Sequence, residues 1–61
     1  MNVVVLHKLS MTVINLINVD SITYDATNNY ITVHGATPTS GAAASNHTYN
    51  NNEYIVRIMS N

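Results

Sequence analysis

No cysteine occurs among the 61 residues, which removes disulfides and thiolate metal centres together. A chain of this length makes one domain at most, spanning 1–61, and buries only about 60% of the surface its unfolded form exposes. Such a core supplies roughly 3–5 kcal/mol, so the staples left are association or a histidine-bound metal. Charge is scarce too. Lys8 and Arg57 stand against Asp20, Asp25 and Glu53, 8% of the chain, where ordinary domains carry about 25%. Two basic side chains cannot neutralise a run of phosphates, which disfavours electrostatically driven nucleic-acid binding. The acidic excess is too slight for a DNA mimic, and no basic membrane-surface helix is suggested. Long apolar runs are missing as well: Val3-Val4-Val5-Leu6 gives way at once to His7 and Lys8, too short to span a bilayer and without the charged, apolar and cleavage regions of a secretory signal.

Asparagine, threonine and serine replace charge as the solvated groups, asparagine alone at ten positions. Within this polar background Ser21–His34 reads as a β-hairpin. With Ala26–Asn29 as the turn, the facing pairs are Asp25 with Tyr30, Tyr24 with Ile31, Thr23 with Thr32, Ile22 with Val33 and Ser21 with His34. One face is then apolar and the other polar, and a slip of one residue would set Tyr24 and Ile22 against polar partners. A four-residue loop around a type I turn suits Ala26-Thr27-Asn28-Asn29, with an asparagine in the left-handed conformation at its close.

Around the hairpin, residues 3–9 are β-formers with apolar side chains on both faces, which fits a core strand, a strand covered by a second copy of the chain, or a frayed terminus or leader ahead of Met11. Residues 11–19 fit a helical face and a two-sided strand alike. The β-branched Val13, Ile14, Ile17 and Val19, with the poor helix formers Asn15 and Asn18, decide for a strand. Gly35 to Asn52 collects both glycines, the proline and four of five alanines. It is expected to be one long loop, with a short helical turn at Gly41–Ala44 and Tyr49 as its large apolar anchor. Glu53–Met59 alternates again and reads as a strand whose Tyr54, Val56 and Ile58 join Ile22, Tyr24, Ile31 and Val33 in the core. The expected fold is all-β, a small antiparallel sheet or half-open barrel of four to five strands with one long loop.

Chemistry-bearing residues are few. His7, His34 and His47 lack the close spacing of a zinc motif, although His34 and His47 could meet across the loop. Ser21 opposite His34, with Asp25 on the same face, mimics a hydrolytic set, but Asp25 lies four residues, roughly 13 Å, along the strand and cannot orient His34. Asn46-His47-Thr48 matches the glycosylation acceptor pattern, one that arises readily by chance in so asparagine-rich a chain. Tyr24, Tyr30, Tyr49 and Tyr54 could stack bases, but without the basic groove that accompanies such platforms. No catalytic residue, metal ligand or cofactor is assigned.

Low charge, abundant asparagine and threonine, and a β-rich design resemble in style small accessory or structural proteins of phages. A chain with so little room and so few residues for catalysis, and with an N-terminal apolar strand that needs a partner to cover it, is expected to be a non-enzymatic protein-interaction or assembly module, self-associating or docking on a host enzyme as an inhibitor. It would reside in the cytoplasm of the producing or host cell, or in a virion. The candidate partner-binding residues are Val4, Leu6 and Lys8 on the N-terminal strand and Thr37, Pro38, His47 and Tyr49 in the loop. The competing readings are a small histidine-based metal-binding protein and a single-stranded nucleic-acid-binding β domain.

Overall fold

The computed structural model describes residues 1–39 and 41–59. Six strands follow in chain order: β1 (Asn2–His7), β2 (Val13–Ile17), β3 (Ser21–Asp25), β4 (Tyr30–Pro38), β5 (Ser45–Asn50) and β6 (Tyr54–Met59). Every pairing is antiparallel, in the order β3-β4-β2-β1-β6, with β5 also on β4. The result is an all-β chain, one sheet curled into a half-barrel.

The hairpin takes the expected register at all five positions, from Ser21 facing His34 to Asp25 facing Tyr30. Asn29 closes its turn at φ 57°, the left-handed conformation that asparagine tolerates better than most residues. The turn is further held by Asp25, whose carboxylate accepts from the N–H of Thr27 at 3.0 Å and from the side-chain amide of Asn28 at 2.9 Å.

β4 is where the sheet curls. Residues 30–33 pair with β3 along one edge and β5 along the other, whereas Thr37 and Pro38 pair with β2. Between these lengths the β4–β5 register shifts, between Val33 and Ala36, and Gly35 sits at φ 68°, as glycines at β-bulges do. Across the other edge the chain bends at Asn18, φ 55°, so β2 and β3 serve successive halves of the same long strand. The expected loop over 35–52 is therefore corrected. Gly35 is a bulge inside a strand, not its end, and Ala36 is fully buried in the core. β5 escapes notice because it is polar on its outer side, yet His47 and Tyr49 alternate inward. No helical turn forms at 41–44; Gly41 lies in a bend at φ 95°.

The core gathers Val3, Val5, Leu16, Val19, Val33, Ala36 and Tyr49. β1 lies in the middle of the sheet, flanked by β2 and β6, so both its edges are satisfied within the chain. It ends at His7 and not at residue 9: His7 donates to Thr12 and Met11 donates back to the His7 carbonyl, turning Leu9 out to solvent at 89% exposure. Of the expected core, Val33 is buried and Ile22, Ile31, Tyr54 and Val56 are half-buried, but Tyr24 at 57% and Ile58 at 64% are exposed. The alternation placed them on the inner face correctly. They stay in solvent because the half-barrel does not close: β3 and β6 face each other across a gap.

Candidate functional site

Among the described residues, three strands pair on one side only: β3 and β5, each with β4, and β6 with β1. An open edge offers a row of main-chain donors and acceptors to another chain, and polar side chains are one way to blunt it. β3 (Ser21, Thr23, Asp25) and β5 (Ser45, Asn46, Thr48, Asn50) are blunted in this way. β6 is not. It exposes Ile55 at 47% and Met59 at 45% on the outer face and Ile58 on the inner.

Lys8 donates its backbone N–H to the Glu53 carbonyl at 2.8 Å, which sets the phase of the β1–β6 ladder. Successive residues of a strand turn their main-chain groups to opposite edges. Glu53, Ile55 and Arg57 therefore face β1, and Tyr54, Val56 and Ile58 present their N–H and C=O groups to the open side. Inside that edge, Val56 and Ile58 form one wall of a groove of about 210 Å³, with Ile22, Tyr24 and Ile31 opposite. Outside it, the register aligns Val13, Leu6 and Ile55 as one apolar row across β2, β1 and β6, with Asn15, Val4 and Arg57 as the next.

The end of the half-barrel beside Tyr54 is tied by asparagines. The Asn29 side chain donates to Asn52 Oδ1 at 2.9 Å and accepts from the Tyr24 hydroxyl at 2.7 Å and the Asn51 amide at 3.2 Å, which joins the 26–29 turn to the one that starts β6. Lys8 Nζ reaches the Asn51 carbonyl at 3.4 Å. Below this tie Tyr49 packs on Tyr54, ring centroids 5.1 Å apart. Burial, and secondarily Tyr54, pushes the Tyr49 phenol above its ordinary pKa.

The seven candidate partner-binding residues do not converge. Val4 and Leu6 lie half-buried on the outer face of β1, Thr37 and Pro38 pair with β2, and Tyr49 is part of the core. His47 faces Val33 on the inner side and stacks on Tyr49 at 6.4 Å. His34, one residue on from Val33, points outward, where its Nε2 shares a 2.7 Å hydrogen bond with Thr23 Oγ1. The two histidines are thus on opposite faces, and His7 is apart from both, its Nδ1 accepting from the Ser10 N–H at 3.1 Å. Among the described residues no three histidine, aspartate or glutamate side chains come together. Nor does the resemblance to a hydrolytic set survive as geometry. His34 is taken by Thr23, and Asp25 by its own turn, where the Asn28 side chain first and backbone N–H groups next hold its carboxyl below the ordinary range.

No family model, curated protein or solved structure matches the chain. No helix among the described residues is long and apolar enough to cross a membrane.

Proposed function

We propose that this chain is a non-enzymatic protein-interaction module that works by self-association. The observation that carries the reading is the β6 edge: a strand paired only with β1 among the described residues, with Ile55 and Met59 exposed on one face and Ile58 on the other. Pairing that edge with another chain satisfies its outward main-chain groups and removes these side chains from water together. The small core argues in the same direction, because association is the staple that remains to a short chain without disulfides. The expected result is a homo-oligomer in sedimentation velocity and light scattering at micromolar concentration, dissociating on dilution. A monomer throughout that range overturns the proposal.

A further inference from the structure

The β6 edge also specifies which surface of the second copy it takes. Resting on self-association through that edge, we infer that two copies pair β6 with β6 antiparallel about a two-fold axis at Ile55, with Arg57 of each copy facing Glu53 of the other. A two-fold axis perpendicular to the sheet maps each face onto itself, so like faces meet and only alternate registers are allowed. Three such registers use the strand. With the axis at Arg57, the two guanidinium groups oppose each other, a destabilising like-charge pair. With the axis at Val56, Arg57 lands on Ile55 of the second copy and Glu53 on Met59, so each charge meets an apolar side chain.

With the axis at Ile55 both conflicts disappear. Glu53, the turn residue just ahead of β6 whose carbonyl accepts from Lys8, and Arg57 are both exposed; four residues of extended chain, roughly 13 Å, separate them, too far to pair within one chain. Across the axis they become neighbours twice over. The same register joins the apolar row of Val13, Leu6 and Ile55 end to end with its copy, making one continuous stripe of six side chains over the outer face. Tyr54 and Val56, whose main-chain groups point outward, then exchange hydrogen bonds with Val56 and Tyr54 of the second copy. Charge pairing and apolar continuity select this register independently.

Two sets of variants test it. Arg57→Glu places four carboxylates around the axis and is expected to weaken dimerisation about tenfold or more, and the swap Glu53→Arg with Arg57→Glu should restore it. Because the chain has no cysteine of its own, Ile55→Cys gives an unambiguous second reading. At the axis the two Cα atoms of a non-hydrogen-bonded pair lie about 4.5 Å apart, within the roughly 4.4–6.8 Å that a disulfide spans. Ile55→Cys should therefore oxidise to a covalent dimer faster than Arg57→Cys. A dimer that ignores the charge reversal, or that crosslinks faster through Arg57→Cys, overturns this register while leaving self-association standing; a wild-type monomer overturns both.

Discussion

Replacing Gly35 by alanine probes the bend in β4 from which the half-barrel takes its shape. Two costs are separable. The first is backbone strain: at φ 68° an L side chain costs about 1–2 kcal/mol. The second is crowding by Asp20, since a Cβ built on Gly35 overlaps Asp20 Oδ2 and lies 2.9 Å from its Cγ. That carboxylate is at the exposed end of a short side chain and can rotate away, so the crowding costs no more than an unfavourable rotamer, about 0.5–1.5 kcal/mol. Strain is the larger part, and Gly35→Ala should lose about 2–3 kcal/mol against a total of about 3–9 kcal/mol for a chain of this length. In a thermal melt that is a fall in Tm of roughly 10–20 °C. A double-mutant cycle with Asp20→Ala should return about 1 kcal/mol of the loss and leave the strain. Gly41→Ala, at φ 95° with nothing within 4 Å of the added carbon, reports strain alone. The reasoning fails if Gly35→Ala is neutral, or if its cost is unchanged in the Asp20→Ala background.

Two further perturbations bear on the core and the hairpin turn. Leu16→Ala empties one of the largest fully buried side chains and should cost about 2–5 kcal/mol, enough to unfold much of the population in circular dichroism, while Leu9→Ala at 89% exposure should stay within about 0.5 kcal/mol. Asp25 has a folded pKa depressed chiefly by the Asn28 side chain, so its contribution is present above its unfolded pKa of about 3.9 and is lost as pH falls through the lower folded value. Urea midpoints measured downward from neutral pH should drop in that acidic window, and the drop should shrink in Asp25→Asn.

How far the fold could be read ahead depended on whether a rule was local. The hairpin register follows from alternation and turn chemistry within fourteen consecutive residues, 21–34, and appears unchanged. Tyr24 and Ile58 were placed on the correct face by the same alternation, but period two says which face a side chain takes and not whether another strand covers it. Burial there depends on closure between β3 and β6, two strands far apart in sequence. The loop over 35–52 failed for a related reason. Glycine and alanine are turn and helix signals in isolation, and only the packing of β4 against three partners makes Gly35 a bulge and Ala36 a buried core residue. β5 is polar in four of its six residues outside His47 and Tyr49, as an edge strand can be, and so carried none of the usual apolar signature.

The candidate site shows the same division. A strand apolar on both faces in a short chain is reason enough to expect association, and the N-terminal run Val3–Leu6 is the most conspicuous such stretch. Yet conspicuous hydrophobicity marks the centre of a sheet as readily as its rim, and β1 is central because both its edges are used by β2 and β6. For the proposed dimer the informative pattern is quieter: Glu53 just ahead of the last strand and Arg57 within it, on either side of Ile55. Its meaning requires knowing that β6 has a free edge, because only there can a charge reach the complementary charge of a second copy. In the proposed dimer a two-fold axis turns that separation within one chain into contact across two, so a single acid and a single base would select the register even in a sequence nearly devoid of charge.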